Sequence, residues 1–449
     1  MRARFVLGRW GILLALLAAV PVHATELELR LHGSNTIGQR LAPALVEEFA
    51  ASRGMGVQPQ PLRAADERLL RLEGDGSGIA AAIFAHGTGT GFASLVDGKA
   101  DLWMASRPVA AAELAQSAAI GRLDTAAQEH VIALDGLSII VHPSNPLAGL
   151  TLDQVREVFA GRIRDWSALG APAGPIAVYA RDDKSGTYDT FRTLVLGASP
   201  LTDSARRFES TDELASAVAT DRRGIGFVGV AGVGAARALA LSDTGTRPLR
   251  PGRLTVATED YVLSRRLFLY NRADASPLAR EFVEFVLGAR GQGVVERIGF
   301  VSQDVVALDV PPRTDVSPEY VDLTRGARRL SVNFRFGSGA TLLDTKALRD
   351  VDRVAAFLRG TGRQDLLLIG FADGNESNPY QALSLSNDRV DYVAQQLVDR
   401  GVGPRRVRGM GHAAPVASDV TEQGRAKNRR VEVWVRDREP GAAASSPAG

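Results

Sequence analysis

From Glu26 to Leu31 polar and apolar residues alternate as in a strand, and His32-Gly33-Ser34-Asn35-Thr36 breaks the alternation. Leu41, Leu45 and Phe49 follow at helical spacing, so the opening unit reads as strand, small-residue loop, helix. The rhythm returns. Residues 131–141 (VIALDGLSIIV) read as a strand leading to the turn Pro143-Ser144-Asn145-Pro146. Residues 151–160 read as a helix, and Ile176 to Ala180 as a strand followed by a loop and a helix. This alternation predicts an α/β fold with mostly parallel sheets. Around Pro311-Pro312 and Pro318 the rhythm fails, and residues 311–325 read as a polar, proline-containing connector. A second unit follows as a strand (Leu330 to Phe336), a helix (Thr345 to Leu358), a strand (Asp365 to Phe371), a helix (Ser386 to Arg400) and a last strand (Val431 to Val435). Two helices on a small mixed sheet make an α+β sandwich of about 110 residues, an ordinary domain size. No short-period repeat is present.

The ends of the chain change the picture. Arg2, Arg4 and Arg9 precede an uncharged run from Gly11 to Val20, and Val22-His23-Ala24 places small residues before Thr25. This is the pattern of a cleaved secretory signal over residues 1–24, too short to span a bilayer. No 18-residue uncharged apolar run follows, so no transmembrane segment is expected in the mature chain. Residues 439–449 read as a disordered Ala/Ser/Pro/Gly tail.

With 45% apolar and 23% charged residues the composition is that of globular domains. The chain has no Cys, which excludes disulfides, thiolate metal sites and Cys nucleophiles, and its six His are scattered. No metal and no cofactor is expected, and a bacterial periplasm fits an exported chain without Cys. Loss of the signal's three Arg takes the formal charge from +2 to −1. That sum hides an opposition of −7 over residues 25–324 and +7 over residues 325–438, which suggests two domains with different partners. Nucleic acid is not expected, because the basic stretch lacks interleaved aromatics. No nucleophile elbow or metal motif appears, so an enzyme is not expected.

Three loops in the first unit share a chemistry: Gly33-Ser34-Asn35-Thr36, Gly87-Thr88-Gly89-Thr90-Gly91, and Arg181-Asp182-Asp183-Lys184-Ser185-Gly186-Thr187. Each precedes a helical stretch, whose free N–H groups and dipole attract anions. Ser and Thr add hydroxyl donors, and Arg offers a planar fork. Taken singly each loop also reads as an ordinary N-cap. Together they resemble the periplasmic phosphate-binding receptors of ABC transporters, as do GLSIIVHPSNPL (136–147), VFAGRIRDWSALG (158–170) and GIGFVGV (224–230).

The resemblance covers residues 26 to about 308. It implies a two-lobed Venus-flytrap (type II periplasmic-binding-protein) domain over 25–310, with a second lobe at roughly 110–235. It also implies phosphate or another oxyanion as ligand and an inner-membrane ABC transporter as partner. Carried over residue by residue, the anion ligands are Ser34, Thr36, Thr88 (Thr90 a neighbouring alternative), Arg181, Ser185, Gly186 and Thr187. Where the family has a carboxylate that accepts the phosphate proton, this chain reads Ala105-Ser106-Arg107-Pro108. Arg107 cannot accept a hydrogen bond. It either faces the ligand, weakening discrimination against sulfate, or points to solvent or pairs with an Asp.

The second unit resembles the OmpA-like peptidoglycan-binding domain, a βαβαββ sandwich over residues 326–438. The marks are Ile369-Gly370-Phe371-Ala372-Asp373, Leu385-Ser386-x-x-Arg389-Val390 and GRAKNRRVEVWV (424–435). In that family an Asp and an Arg grip the diaminopimelate of the wall peptide, which assigns those roles to Asp373 and Arg389. Arg429 and Arg430 read as a solvated or supporting basic pair. Ala372 and Gln381 stand where the family has a hydroxyl residue and an Asn. The reading is a wall-tethered periplasmic phosphate-binding protein serving uptake or sensing. Its rival is a wall-anchored interaction protein whose flytrap has lost its ligand.

Overall fold

A computed structural model describes residues 27–437 except 63, 65, 75–76, 184, 338–341, 363 and 375–377. The expected signal and tail lie outside the described residues, as does Lys184. One curled sheet runs through the first unit. Its strands, from edge to edge, are Gly56–Pro61, Glu67–Gly74, Ser77–Phe84, Leu27–Gly33, Leu102–Ala105, Ser264–Asn271, Glu129–Val141, Gly224–Gly229, Ala177–Arg181 and Arg206–Phe208, with Arg237–Ala238 pairing off the long strand. The sheet is mixed rather than mostly parallel. Leu27–Gly33 pairs in parallel with both neighbours, but Gly56 to Phe84 is an antiparallel meander whose short turns leave no room for a crossover helix.

Two cores flank this sheet, and they divide within two strands. On Glu129–Val141, Ile132 and Ala133 belong to the first core and Leu134, Leu137 and Ile139 to the second. On the other crossing segment, Leu263 belongs to the second core and Leu267 and Leu269 to the first. The second core therefore draws on residues 134 to 263, not 110 to 235. Residues 110–133 pack with lobe one, where Ile120, Leu123 and Val131 join Trp103 and Tyr270. Both crossings run antiparallel to each other in one sheet, so the lobes share a hinge of two strands.

The C-terminal sheet has the order Ala307–Leu308, Arg328–Arg335, Arg430–Asp437, Gln364–Phe371, Arg406–Gly409. Its helices Thr345–Thr361 and Pro379–Val398 bury Val351, Val354, Val390 and Val393 against Leu330, Phe334, Leu368 and Val433. The second helix starts seven residues earlier than its periodicity suggests. Asn378 caps it by accepting from the Gln381 N–H (3.0 Å), and Pro379 in the first turn needs no donor. Gly370 lies under this helix: a Cβ there would stand 2.4 Å from the Ser386 carbonyl and from a Val390 methyl.

Two features depart from a simple connector over 311–325. The edge strand Ala307–Leu308 already belongs to the C-terminal sheet, pairing with Leu330 and Arg329. Pro318–Thr324 is a helix that presses Tyr320 (4% exposed) onto Phe371 and Trp434, on the sheet face opposite the two long helices. Tyr320 donates to Glu432 (2.8 Å). Burial alone would raise the Glu432 carboxyl, but Arg329 and Arg430 override it and hold it at about 2.

The C-terminal domain sits across the hinge and touches both lobes. Asn333 donates to Thr258 O (2.9 Å) and Asp260 (2.8 Å), and Arg335 donates to the same two residues (2.5 and 3.1 Å). Lys427 donates to Tyr261 O (2.9 Å) and Val262 O (3.2 Å), while Arg266 of the crossing strand pairs with Asp344 (2.8 Å). On the lobe-one side Thr345 bonds Glu129, and Arg349 donates to Ala126 O (3.0 Å) and to His130 Nδ1 (2.7 Å).

Candidate functional site

A cavity of about 1220 Å³ opens where lobe one, lobe two and the C-terminal domain meet. Of the residues singled out in the sequence, Thr88, Arg107, Ser185 and Gly186 line it; Ser34, Thr36, Arg181 and Thr187 do not. Thr88 opens the helix Thr88–Val96, and its Oγ1 accepts the Ser106 N–H (3.2 Å) and stands 3.1 Å from Ser106 Oγ. Ser106, which also lines the cavity, was not among the sequence candidates. Thr90 turns back to donate to Gly87 O (2.8 Å), so Thr88 is the hydroxyl that faces the cleft.

Ser34 (2% exposed) holds its loop by donating its N–H to Met104 O (2.9 Å). Across the cleft Ser185 (3% exposed) caps the helix Gly186–Phe191. The two loops abut: a Cβ built on Gly186 would stand 2.5 Å from Thr36 Oγ1 and 2.6 Å from Thr36 N. Only glycine permits this approach of the lobes.

Arg181 departs from its expected role. Its donors run to Phe208 O (3.2 Å), Thr211 Oγ1 (2.5 Å) and Glu209 O (2.6 Å), all in its own lobe. Burial lowers its guanidinium from the ordinary value. The strand Arg206–Phe208 lies beside Ala177–Arg181 in parallel and brings those carbonyls within reach. Arg107 also has a partner of its own: it makes a two-pronged bond to Glu113 (2.7 and 2.7 Å) and donates to Pro108 O (3.0 Å). Arg107 thus pairs with an acid, a Glu rather than the expected Asp, with the side chain 41% exposed at the cavity rim.

The guanidinium that does reach the meeting point of the lobes is Arg265. It lies on the crossing strand Ser264–Asn271, with its side chain 8% exposed. Its Nη2 donates to Thr36 Oγ1 (2.9 Å) and its Nε to Asp135 Oδ2 (3.1 Å) on the other crossing strand. Burial pushes Arg265 down and Asp135 up from their ordinary values, in each case against the attraction of the other. The sequence held a signal for both. Asp135 is the only charge in VIALDGLSIIV, and Arg265-Arg266 interrupts an apolar tract from Tyr261 to Tyr270. A charge inside a run that must be buried is either paired or functional. Seven Lys or Arg against five Asp or Glu line the whole cavity, so its wall is net cationic.

In the C-terminal domain Asp373 (4% exposed) and Arg389 (0%) are both buried. Asp373 accepts from Arg429 Nη1 (2.6 Å), whose Nη2 reaches Glu422 (2.5 Å). Burial pulls the Arg429 guanidinium down, but Asp373 and Glu422 more than offset it and leave it raised. Arg389 lies over the Phe336 ring (5.7 Å) and donates to Phe371 O (3.4 Å). Arg429 and Arg430 are 1% and 0% exposed, which corrects the solvated reading. Arg430 lies over the Phe371 ring (4.0 Å) and pairs with Glu432 (2.9 Å). Phe336, Glu422 and Arg429 line the same large cavity as Thr88 and Arg265. Among the described residues no group of three or more His, Asp or Glu could hold a metal ion, and no helix is long and apolar enough to cross a membrane.

Residues 55–290 match the model of the PBP superfamily domain, and residues 335–429 match that of the OmpA family. The chain is 30% identical over 228 residues to the protein SphX of Synechococcus elongatus, covering 48% of this chain and 66% of that one. It is 26% identical over 226 residues to the phosphate-binding protein PstS of Staphylococcus haemolyticus, covering 48% and 70%. The chain thus spans about two thirds of the length of these relatives. Among solved structures, a possible phosphate binding protein from Planctomyces limnophilus superposes with a TM-score of 0.50 at 24% identity. That alignment covers 62% of this chain and 93% of the other, a likeness of fold.

Proposed function

The chain belongs to the PBP superfamily, and we propose that it binds phosphate or a related oxyanion in the cell envelope while its C-terminal domain holds it to peptidoglycan. The observation that carries the anion reading is Arg265: a guanidinium on the hinge, anchored by Asp135, at the point where the Thr36 loop meets Gly186. An oxyanion in the adjoining cavity would accept from Arg265 and from the hydroxyls of Thr88, Ser106 and Ser185. These donors come from both lobes and from the hinge, so closing the lobes and binding the anion are one event. Ser34 and Thr36 support those loops from behind, and Arg107, held by Glu113, shapes the rim. The relatives named for phosphate binding support the ligand class. The chemistry is binding rather than turnover, and an inner-membrane ABC transporter is the natural recipient of the anion.

On the wall side, Asp373 and Arg389 offer an anion and a cation to an amino-acid head group of the diaminopimelate type, with Arg429 fixing the carboxylate. The site is periplasmic in this reading, after export. The direct test is calorimetry of the mature protein against phosphate and sulfate, together with sedimentation on purified peptidoglycan. Phosphate binding that survives Arg265→Ala unchanged would sink the anion assignment.

A second reading has its own support. Thr36 and Gly186 already touch, and Arg181 is engaged within its lobe, as expected if the flytrap serves as an interaction module without a ligand. Absence of heat with every oxyanion, alongside intact wall binding, selects it.

A further inference from the structure

A second cavity, of about 1050 Å³, lies at the face of the C-terminal sheet that carries Tyr320 and Trp434. It is enclosed by three parts of the chain: lobe two, the connector with its short helix, and the sheet itself. Its apolar wall includes Leu249 and Leu254 from lobe two, Tyr320 and Val321 from the connector helix, and Val416 and Trp434 from the C-terminal domain. Most polar groups in the wall are mutually satisfied. Glu432 accepts from Tyr320 (2.8 Å) and from Trp434 Nε1 (3.2 Å), and Asp260 accepts from Asn333 and Arg335.

Arg247 differs. Among the described residues it makes no hydrogen bond, and its nearest acid, Asp315, stands 4.0 Å away. Asp315 already accepts two bonds from Arg313 (3.0 and 2.7 Å). The cavity is therefore an apolar chamber with one uncommitted planar cation at its edge, and five arginines against three acids around it. Pockets that hold organic ligands have this composition, an apolar wall with a few polar groups that fix orientation, and volumes of roughly 300–1,000 Å³.

We propose that this chamber binds an amphipathic carboxylate, with its anionic head on the Arg247 guanidinium and its apolar chain along Tyr320, Leu254 and Trp434. A guanidinium meets a carboxylate through two parallel N–H···O bonds, which selects the head. With most polar groups along the wall already paired, a polar tail finds few partners there, which favours an apolar chain. Because lobe two, the connector and the C-terminal domain each supply part of the wall, the bound ligand bridges all three. The proposal stands apart from the anion cleft, since no residue lines both cavities.

The test is calorimetry of the mature protein with decanoate below its micelle concentration, beside decanol and decyltrimethylammonium as uncharged and cationic analogues. Decanoate is expected to bind and the cation not to bind, with decanol at least tenfold weaker than decanoate. Arg247→Ala should weaken decanoate at least tenfold, about the worth of one charge-assisted contact. Arg247 is partly exposed, so this change leaves the fold intact; Val321→Asp, which puts an acid into the apolar wall, should give a similar loss. Saturating phosphate should leave decanoate binding unaltered. Equal binding of decanol and decanoate, unchanged affinity in Arg247→Ala, displacement by phosphate, or no binding of decanoate would each overturn the proposal.

Discussion

The C-terminal domain and the inter-lobe cleft use arginine in opposite ways. In the C-terminal domain Arg429 and Arg430 are committed to acids, with Asp373, Glu422 and Glu432 within 2.9 Å of their nitrogens, even though Arg429 lines the same cavity as Arg265. In the cleft Arg265 has one acid, Asp135, and one hydroxyl, Thr36, and it borders a large open cavity. A guanidinium carries five donors, so the first arrangement fixes architecture and the second leaves capacity for a ligand. A charged residue is informative about function when its environment leaves that charge something to do.

The sharpest way to break this comparison is to remove an arginine committed to acids. Arg429→Ala takes a buried guanidinium away from both Asp373 and Glu422, and breaking a buried ion pair costs about 3–5 kcal/mol. Urea unfolding should show a large stability loss in the C-terminal domain, and sedimentation on peptidoglycan should fail with it. A variant of wild-type stability would mean that the cluster contributes little.

Acid probes the docking surface next. His130 is buried between Asn271 and Arg349, and Arg349 donates to its Nδ1, so Nε2 carries the proton. Burial, then the Arg349 charge, push its pKa down to about 4. The folded pKa lies below the unfolded value of about 6.5, so the unfolded chain takes up the proton first as the pH falls. Stability from this group is complete above about pH 6.5 and drains away towards pH 4, by at most about 3 kcal/mol. His130→Gln should flatten that part of the unfolding profile. Because Arg349 belongs to the C-terminal domain and His130 to lobe one, small-angle scattering over the same range should show the domains separating.

Within the cleft, Arg265→Ala and Arg181→Ala should part company. Loss of a charge-assisted pair to the anion costs about 1.5–3 kcal/mol, roughly tenfold to over a hundredfold in affinity. Arg265→Ala should show this by calorimetry with phosphate, whereas Arg181→Ala should change affinity only a few-fold, through its own lobe. The reverse order would restore Arg181 as the anion ligand.

The smallest effect is expected at the rim. Arg107 and Glu113 form a partly exposed pair, and such pairs are worth about 0–1 kcal/mol. Arg107→Ala should leave thermal stability and phosphate affinity nearly unaltered; a large loss of affinity would show that Arg107 releases Glu113 to reach the ligand.

Much of the architecture is legible in the sequence. The strand at 131–141, the helix at 151–160 and five elements of the second unit follow from side-chain period, whereas the short strand Arg406–Gly409 and helix Glu422–Asn428 do not. The burial of Leu41, Leu45 and Phe49 on one helix face follows from their spacing. The Ser-Gly-Thr motif falls at the start of the helix Gly186–Phe191, which Ser185 caps, because small residues and caps act over a few positions. The antiparallel meander at 56–84 escaped notice, since Pro59, Pro61 and Gly74 interrupt its alternation.

The sequence by itself determined that there are two domains of different charge, that the first is built from alternating strands and helices, and which short motifs sit at their loops. Asp135 and Arg265 stand as charges within apolar tracts, a signal that did not enter the choice of anion ligands. Only the tertiary structure decided where each guanidinium points. Arg181 is turned by carbonyls at 208–209, Arg107 by Glu113, Arg265 by a partner 130 residues away, and Arg429 by Asp373 across the C-terminal sheet. An arginine side chain is long and flexible, with five donors, so its direction is set by whichever acceptors the fold brings within about 3 Å, and local sequence does not encode those neighbours.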